Sequence, residues 1–304
     1  MSLLMNNSGK VKTDFSTVIF KIISVIVISL FSVVCLYPFI IMVTGSLTAE
    51  HTIVKYGYRL LPLEWSTESY KLVLQNPMII GGSYMVTIVL TAVGTIIGLF
   101  ITSMTGYALV RKDFAYRNHI SFYIYFTTLF SAGIVPFYIL MVNTFQLKDN
   151  YLAVLLPLLL SPWLVILMKN FNRSIPESIT ESAKMDGAGD FTIFLKLIMP
   201  MSKPAMASIG LFTALAYWND WFYSMLFLSP NVKYRPLQLI LYNLVAQADF
   251  MKTSAAMMGI PPQDIPSESL KLAAAVVATG PIVLVYPFIQ KYFIKGITIG
   301  AVKG

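Results

Sequence analysis

The side chains best equipped for chemistry stand inside an apolar stretch, where Tyr217, Trp218, Asn219, Asp220 and Trp221 follow one another. A carboxyl group within lipid costs roughly 2.5–3.5 kcal/mol on insertion scales, so Asp220 must be turned toward protein or water. Three uses compete for it: touching a bound molecule, holding a neighbouring helix by hydrogen bonding, or carrying a coupled proton. On one continuous helix the five side chains spread around the whole circumference. Trp218 and Trp221, three apart, then share a face, while Asn219 and Asp220 project elsewhere. The two indoles also suit anchoring at a membrane interface.

A second constellation lies in residues 169–204, a polar, helix-prone insert between two stretches apolar enough for lipid. It carries Glu181, Ser182, Ala183, Asp186, Gly187 and Ala188, with Pro200 and Pro204 beyond. Pro176 suits a first helical turn, where its missing N–H costs nothing, and Glu177 there faces the positive end of the helix dipole. The helix is expected to run to about Asp186 and to end with Gly187 left-handed, before a second helix capped by Asp190. Phe191, Phe194, Leu195 and Ile198, at i, i+3, i+4 and i+7, predict one apolar stripe on the second helix. Ile175, Ile179 and Ala183 predict a comparable one on the first. Helices this short are marginal alone in water, so both faces need partners. An amphipathic connector lying on a membrane surface would satisfy the same periodicity.

The elements that must position these residues follow from composition. With 57% hydrophobic and 12% charged residues among 304, the chain has more apolar surface than one soluble core hides. Six stretches approach the roughly 20 apolar residues that an ~30 Å hydrocarbon layer asks of a helix. They run at about 21–43, 84–109, 120–142, 151–168, 205–228 and 271–294. Fourteen of the 22 Lys and Arg fall in segments on the N-terminal side of the membrane. The short loop 110–119 has three of them, against one, Lys148, in loop 143–150. Both termini and residues 169–204 are therefore predicted to be cytoplasmic. Segments 44–83 and 229–270, the latter including residues 259–264, retain aromatic and aliphatic residues that can pack, and read as ordered external elements. Gly280-Pro281 predicts a kink in the sixth stretch, with Pro136, Pro157, Pro162 and Pro287 as further bends.

Other chemistries are excluded. The net charge of +8 is spread in short flanks beside apolar stretches, which suits an anionic membrane surface and not nucleic acid. No G-x-x-x-x-G-K-[ST] phosphate loop is present. The nearest run, Gly94-Thr95-Ile96-Ile97-Gly98, is apolar and lacks lysine, so the chain is not expected to hydrolyse nucleotide. His51 and His119 have no ligand-spaced companions, and Cys35 is the single cysteine, so neither a metal site nor an internal disulfide is expected. No Ser/His/Asp set can be assembled. The first stretch, preceded by Lys10, Lys12 and Lys21, has no small-residue cleavage signature after it and reads as a retained helix. No internal repeat of the kind left by inverted-repeat carriers is visible.

In order and spacing, Glu181, Ser182, Ala183, Asp186, Gly187, Ala188, Pro200 and Pro204 resemble the EAA loop of ABC-importer permeases, with Ser182 in place of the usual second alanine. The resemblance extends to the six stretches, to the insert's place between the fourth and fifth, to Trp218-Asn219-Asp220-Trp221 and to the ending 290–304. These are similar to the carbohydrate-uptake branch, which includes maltose-type and YtcP-like permeases. The likeness implies an all-α polytopic protein of six transmembrane helices, the type I importer permease fold. It would form half of a translocation path for a carbohydrate such as an oligosaccharide, delivered by an extracellular solute-binding protein.

The likeness further implies a second, homologous permease in the same membrane and a dimer of cytoplasmic ATPase subunits. Those subunits would bind the ATP and Mg that this chain does not. Glu181 would pair with basic groups of the ATPase, and Gly187 would let the backbone turn closely against its cleft. A carbohydrate offers flat C–H patches rimmed by hydroxyls, which makes Trp218, Asn219, Asp220 and Trp221 candidates to line its path. The residues alone leave open an ion-gradient carrier working through Asp220, or a non-transporting scaffold whose insert binds a signalling partner.

Overall fold

A computed structural model describes residues 15–257 and 266–301; Lys10, Lys12, the run 259–264 and residues 302–304 lie outside the described residues, as do the side chains from Lys291 onward. Among the described residues the chain is helical, with one isolated antiparallel bridge between Thr48 and Trp65. The helix α1 (Phe15–Ser46) leads through α2 (Glu50–Tyr56) and α3 (Glu68–Val73) to α4 (Pro77–Ala108). Of these, α1 and α4 are long and apolar enough to cross a membrane singly. Much of α1 is exposed, Phe20, Leu30 and Phe31 included, a surface suited to lipid or to another membrane helix.

Two further candidates are bent pairs. The helix α5 (Arg117–Leu129) meets α6 (Ile134–Ile139) and the π-helical turn Leu140–Thr144 at 116°, and α7 (Leu152–Leu158) meets α8 (Pro162–Asn172) at 43°. The first bend falls between extended Phe130 and Gly133, whose φ of 85° favours glycine. Pro136 sits within α6 and not at the bend. At the second bend Pro162 holds Ser161 extended and opens α8, while Pro157 is accommodated inside α7.

Next come α9 (Glu177–Met185), α10 (Asp190–Ile193), the π-helical turn Phe194–Ile198 and α11 (Met199–Met201). The fifth stretch, expected as one helix over 205–228, is instead broken into α12 (Lys203–Trp218) and α13 (Phe222–Phe227). Its sequence is largely apolar on both sides of Asn219 and Asp220, whose side chains turn back onto the backbone and end one helix while starting another. The helix α14 (Leu237–Met257) fills much of segment 229–270, and α15 (Glu268–Ala301) continues through Pro281 and Pro287.

The spine is α4, which packs on α12, α8 and α14, while α1 lies along α15. Lipid gives apolar helices no hydrophobic reason to associate, so close approach must be built in by small residues. A Cβ on Gly94 would stand 2.3 Å from the ring of Tyr217, and one on Gly98 2.8 Å from the Leu159 carbonyl oxygen. The glycine run nearest in form to a phosphate loop is thus a helix-packing surface. At the opposite end of α4 from the insert, Glu50 accepts hydrogen bonds from the backbone N–H groups of Glu268 at 3.0 Å and Ser269 at 2.9 Å, capping α15. Lys252 of α14 reaches the same place, 2.8 Å from Ser267 Oγ.

Candidate functional site

The insert is an elbow, and its corner explains the residue types found there. Ala188 N–H donates to the Ala183 carbonyl at 2.9 Å and Gly187 N–H to that of Lys184 at 3.0 Å, with Gly187 at φ 81°. This pair of bonds is the Schellman ending, which needs a left-handed residue at the turn. Ala183 and Ala188 face inward against buried Ile193, Phe194 and Ile198, where larger side chains would lift α9 off. Glu181, Ser182, Met185, Asp186 and Gly187 remain exposed, Met185 at 88%.

Several local expectations need correction. Pro176 stands at the N-cap and not inside the first turn, whereas the end of α9 falls where expected, with Asp186 as its C-cap. Asp190 makes no capping bond; Gly189 holds the N-cap position, and the Asp190 carboxylate pairs with Arg111. The predicted stripe of Phe191, Phe194, Leu195 and Ile198 is only half buried. Phe194 and Ile198 are inside with Ile193, while Phe191 is 59% exposed and Leu195 39%. The π-helical turn Phe194–Ile198 widens the repeat beyond 3.6 residues, so the periodicity used for the prediction fails there.

The elbow is bolted to the end of α4. Phe194 stacks on Tyr107 with centroids 5.8 Å apart and meets Phe100 edge-on at 5.9 Å. Arg111 bridges Asp113 and Asp190, Lys112 pairs with Glu177, and Lys184 reaches Asp113 at 2.6 Å. The hydrogen bonds from Arg111 and Lys184 hold the Asp113 carboxyl well below its ordinary range. Farther along, Ser202 Oγ donates to Asn172 Oδ1 at 2.9 Å, both buried, and so joins the two ends of the insert. Arg111, Lys112 and Asp113 were not among the candidate site residues. Their partners lie 65 to 79 positions away, and no local spacing points to them.

The fifth-stretch candidates are brought together at the break between α12 and α13. Trp218 Nε1–H donates to the Ala278 carbonyl of α15 at 3.0 Å. Asn219 Nδ2 donates to the Leu215 carbonyl at 3.0 Å, and its Oδ1 faces Gln238 Nε2 at 3.4 Å. Asp220, buried, accepts from Tyr223 N–H at 3.1 Å, Ser224 N–H at 3.0 Å and Ser224 Oγ–H at 2.8 Å, which caps α13. Because the helix ends between them, Trp218 and Trp221 do not share a face. Trp221 instead stacks on Tyr242 of α14, centroids 4.6 Å apart and planes 17° from parallel.

Residues 94–299, from the middle of α4 through the elbow and the broken fifth stretch into α15, match the family described as binding-protein-dependent transport system inner membrane component. The chain belongs to this family. This permease is 38% identical over 277 residues to the polygalacturonan/rhamnogalacturonan transport system permease protein YtcP of Bacillus subtilis (strain 168), covering 90% of this chain and 95% of that one. It is 29% identical over 294 residues to the trehalose/maltose transport system permease protein MalG of Thermococcus litoralis, covering 93% and 97%. A crystal structure of a bacterial ABC transporter involved in the import of the acidic polysaccharide alginate contains a chain that superposes with a TM-score of 0.73 at 31% identity. That likeness covers 92% of the permease and 98% of the other chain. The permease is therefore an all-α membrane protein and a transport component, with the fold of an ABC-importer permease.

Proposed function

We propose that the permease is one of two homologous permeases in an ATP-driven carbohydrate importer, with oligosaccharides as its cargo. In this reading it has six spans with both termini cytoplasmic. It receives cargo from an extracellular solute-binding protein and is driven by a dimer of ATPase subunits, which bind the ATP and Mg. The observation that carries the reading is the elbow. Its α9 presents Glu181, Ser182, Met185 and Asp186 to a partner, and among the described residues no basic group pairs with Glu181. Behind that face, the Phe194 stack and the ion pairs of Arg111, Lys112 and Lys184 fix α9 and α10 to α4. A push on α9 by a closing ATPase would reach the helix on which α8, α12 and α14 pack, with little lost to bending.

The chemistry of the cargo path supports the carbohydrate reading. Trp221, Tyr242 and Asn219 retain exposed surface, with Gln238 beside Asn219 and Asn243 and Gln247 in a shallow cavity of about 360 Å³ along α14. An aromatic platform among amides suits C–H faces and hydroxyls, and amides are poorly suited to lipid. Trp218 and Asp220 support this surface through Ala278 and α13. The relatives point the same way, since one is named for polygalacturonan and rhamnogalacturonan and the alginate importer takes an acidic polysaccharide.

The test is ATP-driven glycan uptake by the reconstituted complex with its binding protein, comparing galacturonate and alginate oligosaccharides with neutral ones, in wild type and Trp221→Ala. Uptake of at least one oligosaccharide is expected. Loss of the stacking surface should reduce it roughly threefold to tenfold. Uptake of none of these glycans would overturn the cargo assignment, and unchanged uptake in the variant would overturn the path.

A further inference from the structure

Beside the elbow the balance of charge is uneven. A cavity of about 800 Å³ between α9, the loop after α4 and the starts of α5 and the insert contains Arg111, Lys112, Arg117, Lys169, Arg173 and Lys184. Three of these cations are neutralised: Arg111 by Asp113 and Asp190, Lys112 by Glu177, Lys184 by Asp113. The other three, Arg117, Lys169 and Arg173, pair with no carboxylate among the described residues, and against them the same lining has one unpaired carboxylate, Glu181 of α9. Arg117 donates to the Arg111 carbonyl at 3.3 Å and Lys169 to Ser121 Oγ at 2.8 Å, which are neutral acceptors.

Lys169 and Arg173 also stand at one end of a second cavity, a groove of about 330 Å³ between α5 and α8. Away from them its lining turns apolar, with Phe122, Ile124, Tyr125, Val165 and Ile166. Phe122 and Tyr125 are exposed by 68% and 53%. A cluster of uncompensated cations opening onto an apolar channel has the polarity of a phospholipid with an anionic headgroup. In the orientation proposed above, the basic end faces the cytoplasmic leaflet, where anionic lipids attract juxtamembrane Lys and Arg.

We propose that the α5–α8 groove, where Lys169 and Arg173 join it to the basic cavity, is a binding site for an anionic phospholipid, its phosphate on Lys169 and Arg173 with Arg117 of the adjoining cavity, and an acyl chain along Phe122, Tyr125 and Ile166. The site shares the loop after α4 with the elbow clamp, so the bound lipid braces the support on which α9 rests.

The assembled complex, equilibrated with vesicles of mixed phosphatidylglycerol and phosphatidylcholine and then extracted in mild detergent, reports its retained lipid by native mass spectrometry. Wild type should retain phosphatidylglycerol in preference to phosphatidylcholine. Arg117→Gln with Arg173→Gln should lower that retention about fivefold for each cation removed, and Arg173→Lys should preserve it. Normal co-purification of the ATPase shows that a variant has assembled; if the double variant does not assemble, Arg173→Gln alone, at an exposed position, gives the same reading. Equal retention of the two lipids, undiminished retention in the variants, or removal of the lipid by soluble glycerol phosphate each overturns the assignment. Retention is measured without ATP or glycan, so a failure here leaves the import reading standing.

Discussion

At Gly187 the backbone has a φ of 81°, and a Cβ built there would meet nothing within 4 Å. Strain and bulk can therefore be separated at this position. An ordinary L-residue in the left-handed region costs roughly 1–2 kcal/mol, whereas asparagine adopts it readily. Gly187→Asn is expected to keep the ATPase bound through purification, and Gly187→Arg, which projects a long side chain into the proposed cleft, to lose it. Retention of the ATPase by the arginine variant at wild-type yield would count against docking at this corner. The conformational role of Gly187 is legible in the sequence, because few residues other than glycine end a helix this way. That of Asp220 is not. A carboxyl in an apolar run signals only that it needs company, and three uses stay open until Tyr223 and Ser224 are seen to donate to it.

Among the elements, α4 and the two short helices of the insert are legible because length, apolarity and a glycine stop are local properties. The break in the fifth stretch is hidden, since the polar pair Asn219-Asp220 is the same whether it ends a helix or sits within one, and the run is apolar on either side. The attachment of α9 is hidden too, because Arg111, Lys112 and Asp113 serve equally well as charges flanking a membrane span. That clamp makes a pH prediction. The folded state holds the Asp113 carboxyl below its ordinary value of 3.8, so its contribution to stability is present above that value and is lost as pH falls through the depressed one. Protection of α9 from added protease should be level from neutrality to about pH 5 and fall below about pH 4. In Asp113→Asn, protection should be weaker at neutral pH and lack most of the acid step. An identical acid profile in the variant would move the clamp's strength elsewhere.

Across the whole molecule, one helix connects two fixed ends. At one end of α4 the elbow is held by Tyr107, Phe194 and Arg111; near the other, Glu50 caps α15 and Lys252 ties α14 to it. The glycine contacts at Gly94 and Gly98 let α12 and the α7–α8 bend ride directly on that spine. A helical membrane protein is legible in the spacing of apolar stretches, and the permease fold in the resemblance carried by Glu181 to Pro204, but this linkage is not, because it depends on pairs such as Tyr217 and Gly94 that meet only when packed. The central claim is that α9 lies on the cytoplasmic side and seats in the ATPase, and a single thiol at its most exposed residue tests it most directly. In a Cys35→Ser background, Met185→Cys should be unreactive toward an impermeant maleimide in right-side-out vesicles. In inside-out vesicles stripped of ATPase it should react, and rebinding the ATPase should protect it. Labelling from the outside, or equal labelling with and without the ATPase, would contradict the account.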